Sequence, residues 1–408
     1  MRLLVVSQYF WPENFRVNEL VSELVARGHE VTVLTGVPNY PEGKVFEDYR
    51  RDPESFSSYS GAEVLRVPLR PRGQGKLQLV RNYWSFVFWG TLLGPWKLRG
   101  KPFDAIIFFE ISPITSVLPA LLLRRLKQAP LLLWVLDLWP ETLAAVGIVR
   151  SPTILRLIGR LVSFIYRRCD LILAQSRGFV PNIERWSGDS SRIRYFPQWA
   201  EAIFDRDLAD VECAPEVAPY RDTFNVMFAG NIGEAQDFPA ILDAAECLRE
   251  HNDIRWLVVG DGRAAQWVRA QIEARALQKR VVMLGRYPLE RMPAIFRGAN
   301  ALLVSLRPDP IFAMTIPGKV QSYLAAGLPL LGMVDGEGAG VIQESGAGLV
   351  CGAGDGFGLA RRVRQLADAT AEERAAMGQR GKQYARREFD RATLVGRLEG
   401  WLGGPPRP

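Results

Sequence analysis

The chain has 408 residues, 48% of them hydrophobic and 23% charged, with a formal net charge of +7. This is globular composition on a chain too long for one ordinary core, so two domains are expected and a disordered or fibrous protein is excluded. Only two histidines, His29 and His251, rule out a histidine-based metal cluster, and four scattered cysteines (Cys169, Cys213, Cys247, Cys351) suit reduced, cytoplasmic thiols rather than a disulfide framework.

The opening run MRLLVVSQYFWPE is too short in its apolar stretch for a signal peptide and reads as a buried first strand, RLLVVSQ. A loop YFWPENF follows, then a helix from about Arg16 to Arg27 capped by Gly28, then the strand HEVTVLTG. Together they make a βαβ unit. Basic charge gathers in this half: residues 1–200 hold 26 Lys/Arg against 17 Asp/Glu. From residue 66 to 101, eight cations (Arg66, Arg70, Arg72, Lys76, Arg81, Lys97, Arg99, Lys101) occur with no acid between them. They enclose YWSFVFWGTLLGPW, Tyr83 to Trp96, too short to cross a bilayer core that needs about 20 residues. An aromatic apolar tract rimmed by cations predicts an in-plane, monotopic membrane contact through Arg81, Tyr83, Trp84, Phe86, Phe88, Trp89, Trp96, Lys97 and Arg99. A core helix with a basic rim is the competing expectation. The long apolar stretch argues against nucleic acid as the partner of this patch.

Further strands are expected at Ala105–Phe109, Leu131–Leu136, Leu171–Gln175 and Arg194–Phe196. A second series starts at NVMFAG, Asn225 to Gly230, and continues through WLVVG, VVMLG, ALLVSL and LPLLGMV with helices between them. Such alternation implies two parallel sheets covered by helices on both faces. The join falls in the polar, aperiodic stretch DRDLADVECAPEVAPYRD. The expected domains are 1–200 and 201–385, with 386–408, amphipathic in YARREFDRATLVGRLEGWL, returning to the first.

Ligands of parallel sheets collect at the carboxyl ends of strands, so two such domains facing one another leave a cleft between them. Neither domain has GxGxxG after its first strand, which weakens a dinucleotide reading. The second domain offers AGNIGEAQDF, GDGR, SLRPDP and TIPGKVQSYLAAGLP after successive strands. Gly230, Gly233, Gly260 and Gly262 would let backbone approach a ligand, and Arg263, Arg307 and Lys319 would supply positive charge. In the last segment Pro317 starts a helix, Gly327 caps it and Pro329 stops it. A lysine in the first helical turn is disfavoured unless an anion joins it, and the free N–H groups near Gly318, Lys319 and Val320 would receive that anion. A diphosphate cradle accounts for all four loops.

The set SQYFWPENFRVNEL, GHEVTVLTGVPNYPEGKVF, WVLDLWPE, AGNIG, VVGDG and PGKVQSYLAAGLP resembles the retaining glycosyltransferases of family 4. It is most similar to the bacterial polysaccharide branch that includes the N-acetyl-L-fucosamine transferases of O-antigen assembly. The resemblance implies an α/β, GT-B fold: two Rossmann-like, doubly wound domains facing across a cleft. It implies a UDP-sugar donor on the second domain, at Gly230, Asn231, Gly233, Gly260, Gly262, Arg263, Thr315, Ile316, Pro317, Gly318, Gln321 and Ser322. It also implies a polyprenyl-diphosphate-linked saccharide as acceptor on the first domain, and peripheral attachment at the cytoplasmic face of the bacterial inner membrane. No metal and no cofactor beyond the UDP-sugar substrate are expected. The family's Glu, seven residues, Glu pattern maps to Met314 and Ser322, where the carboxylates are missing. Its Arg and Lys after the first strand map to Asn231 and Gln236.

Breaking a sugar–phosphate bond builds oxocarbenium character on the sugar and negative charge on the departing diphosphate. Lys319, Arg307 and a helix N-terminus answer that charge without a metal, and the sole DxD, Asp205 to Asp207, falls in the linker. Asp137, just past the strand of WVLDLWPE, is the candidate acceptor-side carboxylate, with Glu141 four residues on and Glu110 after the neighbouring strand. Glu13, Asn14 and Arg16 in the first loop are further candidate acceptor contacts. Two other readings fit the same sequence: a sugar-nucleotide 2-epimerase, and a catalytically silent membrane-docking subunit.

Overall fold

A computed structural model of the chain describes residues 1–73 and 75–403. Its packing divides it into two units, one of Met1–Pro197 with the chain from Ala392 onward, the other of Gln198–Arg391. Residues 386–391 therefore stay with the second unit, and the return begins at Ala392.

The first unit runs β1 (Arg2–Val6), α1 (Arg16–Ala26), β2 (Glu30–Gly36), α2 (Glu47–Arg51), β3 (Ser58–Tyr59), β4 (Ala62–Val67), α3 (Lys76–Lys97), β5 (Ala105–Glu110), α4 (Leu118–Lys127), β6 (Leu131–Val135), α5 (Glu141–Ala145), α6 (Pro152–Tyr166), β7 (Leu171–Ala174), α7 (Phe179–Ser187) and β8 (Ile193–Tyr195). The eight strands lie in the order β3-β4-β2-β1-β5-β6-β7-β8. Every pairing is parallel except the short β3–β4 hairpin. Strands β1, β5 and β6 are buried on both faces, which is why they read as continuous apolar runs. Strand β4 carries Glu63 and Arg66 among Ala62, Val64 and Val67, and that charge hid it from the apolar-run criterion.

The tract Tyr83–Trp96 is the body of one 22-residue helix, α3, continuous through Gly90, Gly94 and Pro95. The glycines sit where the helix presses inward. A Cβ on Gly90 would meet Pro119 of α4 at 2.9 Å, and one on Gly94 would meet Leu34 of β2 at 3.2 Å. The helix has one face of each kind: Phe86 is fully buried, whereas Trp84, Phe88 and Trp96 are exposed. Among the described residues no helix is long and apolar enough to cross a membrane.

The second unit runs β9 (Phe224–Ala229), α8 (Phe238–Cys247), β10 (Ile254–Val259), α9 (Ala265–Ala274), β11 (Val281–Gly285), α10 (Met292–Phe296), β12 (Ala301–Ser305), α11 (Pro310–Ala313), α12 (Gly318–Ala326), β13 (Leu330–Met333), α13 (Gly336–Ser345), β14 (Gly348–Cys351), α14 (Gly356–Asp368) and α15 (Ala371–Glu388). Its sheet has the order β11-β10-β9-β12-β13-β14, all parallel. Alternate strand residues feed two cores: Met227, Leu257 and Leu302 on one face, Phe228, Trp256 and Leu303 on the other.

The last helix, α16 (Arg391–Leu402), packs on the first unit. Glu399 accepts from Arg27 Nη1 at 2.8 Å and lies 2.7 Å from His29 Nε2, while Trp401 meets Phe196 edge-on.

Candidate functional site

In the second unit the chain steps from β9 to β10 to β11 in one direction and from β12 to β13 to β14 in the other. The reversal lies between β9 and β12, where a parallel sheet leaves its binding crevice. The loops around it are fastened by backbone bonds: Gly230 N to Val259 O, Ile232 N to Asp261 O, Gly260 N to Gly285 O and Arg307 N to Ala235 O, all 2.7–2.9 Å. Tyr323 of α12 locks that helix to the end of β9, its hydroxyl accepting from Ala229 N at 3.0 Å and donating to Ala229 O at 2.9 Å.

The glycines serve this lacing. A Cβ on Gly260 would strike Gly230 O at 1.9 Å, and one on Gly262 would strike Ile232 O at 2.3 Å, so here loop approaches loop. Gly230 has φ +142°, and its missing side chain makes room for Lys319, whose Cε would stand 2.5 Å from a Cβ there. Gly233 gives its N–H to Gln236 Oε1 at 3.1 Å. Asn231 is exposed beside it.

Lys319 lies in the first turn of α12. Part of the residue reaches the surface, but its Nζ is buried with no hydrogen-bond partner. The ammonium faces the ring of Phe228 at 3.5 Å, and burial lowers its pKa from 10.5 to about 7. Gly318 has open space beside it. The N–H of Val320, expected to be free, goes to Pro317 O at 2.8 Å, a tightened first turn that leaves the N–H groups of Gly318 and Lys319 as the free donors of this helix start.

The rest of this segment is occupied structurally. Ile316 is 2% exposed and belongs to the core, and Thr315 Oγ1 donates to Ile311 O at 3.0 Å. Pro317 is the residue preceding the helix. Gln321 is buried, and with its amide turned to satisfy both contacts its nitrogen donates to Pro317 O (2.9 Å) and Gly318 O (3.2 Å). Gln321 is therefore corrected from a ligand contact to a helix-start tie. Ser322 Oγ donates to Glu201 Oε2 at 2.5 Å and lies 3.2 Å from Gly318 O. Folding thus brings a carboxylate to the position whose own carboxylate is absent. No local pattern around Glu201 signals this, because its partner is 121 residues away.

The single cradle expected from sequence resolves into two places. Gly233, Arg263 and Arg307 line a cavity of about 440 Å³ together with Asp237, Phe238 and Trp267, while Lys319 lies apart from it against Gly230. Trp267 is exposed on α9 and was not picked out from the sequence, where it reads as an ordinary helical residue. Of the linker acids, Asp207 pairs with Lys382 at 3.2 Å and accepts from Ala209 N.

In the first unit the reversal lies between β1 and β5. Asp137, just past β6, is the best-furnished carboxylate. Its Oδ1 accepts from Thr142 Oγ1 at 2.5 Å. Burial raises its pKa, opposed by hydrogen bonds from Thr142, Trp139, Ser112 and the Leu138 backbone. Ser112 has φ +120°, a strained conformation for a residue with a side chain, beside this carboxylate. Arg72 stacks over Tyr40 at 5.4 Å, and burial raises the pKa of Tyr83, with the Arg72 charge opposing that shift and Asp137 adding to it. Arg72 stands in the sequence only as one of the eight clustered cations and Tyr40 only as part of GHEVTVLTGVPNYPEGKVF, so neither was singled out as a site candidate.

Two expected acceptor contacts, Glu13 and Glu110, are corrected by burial, and Glu141 is half-buried. Glu13 is 2% exposed, with Oε1 accepting from Asn39 N and Tyr40 N at 2.7 Å each and Oε2 from Phe10 N at 3.1 Å. It ties two loops together, and burial raises its pKa to about 7 despite those donors. Glu110 is wholly buried and supports the Asp137 turn, its Oε2 accepting from Leu136 N and Asp137 N at 3.3 Å. Burial holds its pKa well above the carboxylate range. Glu141 Oε1 accepts from Trp186 Nε1 at 3.1 Å, and its other oxygen is buried. Asn14 is exposed, and Arg16 lies 4.0 Å from Glu19.

The membrane candidates separate by helix face. Arg81, Trp84, Phe88, Trp96 and Arg99 are exposed, and Trp89 and Lys97 are half-buried. Phe86 belongs to the core and is removed from the outward face, and Tyr83 is half-buried. Leu77, Val80 and Leu92 complete that face at helical spacing. Not all eight cations are free: Arg66 donates to Gly36 O at 2.9 Å and to Trp11 O, and Lys101 pairs with Glu63.

Comparison with known proteins agrees with this two-unit build. Residues 14–199 match the family model described as a glycosyl transferase 4-like domain, and residues 223–369 match glycosyl transferases group 1. WcaI of Escherichia coli (strain K12), whose name assigns it to colanic acid biosynthesis, is 25% identical over 347 residues, 80% of this chain and 82% of its own. WbjE of Pseudomonas aeruginosa, named as a glycosyltransferase, is 27% identical over 264 residues, 61% of this chain and 64% of its own. The crystal structure of HepE from Anabaena, solved with UDP and glucose, superposes with a TM-score of 0.68 at 15% identity, over 99% of this chain and 100% of that one. That likeness establishes the fold.

Proposed function

This chain belongs to the two-domain, family 4-type glycosyltransferases, and on that premise we propose that it moves a sugar from a UDP-sugar to a saccharide carried on polyprenyl diphosphate, with retention of anomeric configuration. The sugar is N-acetyl-L-fucosamine or a related amino sugar, and the product enters a surface polysaccharide. The observation that carries the reading is the buried, unpartnered Nζ of Lys319 at the mouth of α12. A cation held from water without a counter-ion is costly unless an anion completes the site. The UDP and UDP-glucose bound by HepE and the colanic acid role in the name of WcaI support the donor and the pathway class.

In this mechanism the diphosphate settles against the free N–H groups of Gly318 and Lys319 and against the Lys319 ammonium. These groups stabilise the charge that develops as the sugar–phosphate bond lengthens. Arg307 and Arg263 reach the donor from the neighbouring cavity, and Ser322 with Glu201 offers acceptors for hydroxyl groups. The leaving phosphate takes the proton of the acceptor hydroxyl, while Asp137 orients that acceptor or steadies positive charge on the sugar. No step requires a metal. The exposed face of α3 rests on the inner-membrane surface at its cytoplasmic side, where a lipid-linked acceptor resides.

The test is incubation of purified protein with radiolabelled UDP-sugars and a polyprenyl-diphosphate-GlcNAc analogue. Label in the lipid phase supports the proposal. An altered nucleotide sugar, or unchanged substrates across the UDP-hexosamine series, rejects it.

A further inference from the structure

Exposed large apolar side chains are not spread evenly over the molecule. The second unit has two, Trp267 and Phe357. In the first unit, apart from Met1, they fall on α3, on Leu126 of α4, and on a second tract of Val146, Ile148, Ile154, Leu157 and Phe164. That second tract covers the turn before α6 and the outer stripe of α6 itself. Residues 154, 157 and 164 lie on one face at intervals of three and seven, and the opposite face, with Gly159, Val162, Ile165 and Tyr166, is buried. Gly159 is pressed against Trp186 of α7, where a Cβ would come within 2.3 Å, so the inner face is fully used and the outer one is not.

Charge distinguishes this stripe from a stray apolar patch. Between Glu141 and Asp170 there are five arginines and no acid. All five, Arg150, Arg156, Arg160, Arg167 and Arg168, are exposed. Arg168 lies over the ring of Phe164 at 3.6 Å. The steps β4 to β5, β5 to β6, β6 to β7 and β7 to β8 all run the same way across the sheet. Right-handed crossovers then set α3, α4, α6 and α7 in one layer on one face.

We propose that α6 and the turn before it form a second lipid-contacting surface, which docks on an anionic bilayer beside the face of α3. The convex stripe of Ile154, Leu157 and Phe164 enters the headgroup boundary while the flanking arginines meet anionic headgroups. A second copy of the chain is disfavoured as occupant, since a twofold contact would set this acid-free arginine surface against itself. The proposal rests on the reading that the acceptor is membrane-held, but not on α3 being the contact.

Full-length protein is sedimented with phosphatidylcholine vesicles, with and without phosphatidylglycerol. Three variants are compared: Leu157→Ser with Phe164→Ser, Arg156→Glu with Arg160→Glu, and Trp84→Ser with Phe88→Ser on α3. Both α6 variants should keep the wild-type melting temperature and lose roughly tenfold or more in affinity for the anionic vesicles, given about 1 kcal/mol per interfacial cation. Loss only in the α3 variant leaves the α3 contact standing and overturns the α6 surface. Unchanged binding in the α6 variants, or a dimer in vesicle-free solution that they dissolve, likewise overturns it.

Discussion

The ammonium of Lys319 stands 3.5 Å from the centre of the Phe228 ring, with no oxygen in hydrogen-bonding reach. The ring face attracts the cation, but it does not replace lost hydration. Burial therefore dominates and lowers the pKa from 10.5 to about 7. If Lys319 meets the donor diphosphate as proposed, the arriving anion should restore the missing partner and raise the pKa again. Above about pH 7 binding must take up a proton, so UDP affinity should weaken as pH rises, by up to about tenfold per unit. Calorimetric titrations from pH 6 to 9, in buffers of different ionisation enthalpy, should detect that proton, and Lys319→Gln should abolish both slope and uptake. A pH-independent affinity in the wild type would exclude Lys319 from the diphosphate site.

The same lysine links to stability with the opposite sense. Its folded pKa lies below its unfolded one, so between about pH 7 and 10.5 the unfolded chain binds more protons and stability rises with pH. Urea midpoints of ligand-free protein should show this rise, and Lys319→Met should flatten it. Equal slopes in the two proteins would mean that Lys319 Nζ is hydrated in solution.

Ser322 and Glu201 form a coupled pair across 121 positions of sequence. Ser322→Ala should cost roughly 1.5–3 kcal/mol, the range for a hydrogen bond to a charged group. Ser322→Glu should cost more, because it sets two carboxylates together, and Glu201→Gln should rescue it. Additive effects in that double-mutant cycle would show that the bond contributes nothing.

Asp137 has donors on several sides and a raised pKa, the marks of a carboxylate held ready. Asp137→Asn should lower turnover by roughly 10²–10⁴-fold while leaving UDP affinity within about twofold. Glu110→Gln, which keeps an oxygen beneath the turn, should act mildly, and Glu110→Ala more severely. If Glu110→Ala matches wild-type turnover, the buried glutamate does not position Asp137.

On α3 the two faces should separate cleanly. Phe86→Ala removes a fully buried ring and should destabilise the chain by about 3–5 kcal/mol. Trp84→Ser with Phe88→Ser should leave the melting temperature nearly unchanged and weaken vesicle sedimentation. A large stability loss in that pair would identify the outer face as core.

Periodicity and composition by themselves determined the two parallel α/β sheets, the helix from Arg16, and the helix that opens at Gly318. These depend on local spacing, with apolar runs for strands buried on both faces and Gly or Pro at helix ends. The charge-free aromatic tract was equally legible, but which of its rings face inward depends on where Pro119 and Leu34 press against Gly90 and Gly94. Only the tertiary structure decided that Glu13 and Glu110 are internal ties, that Gly260 and Gly262 serve loop-on-loop contact, and that Glu201 comes to Ser322. A side chain's motif announces the chemistry it could do. Whether that chemistry is free for a ligand depends on partners far off in the sequence, because burial and hydrogen bonding are settled by packing.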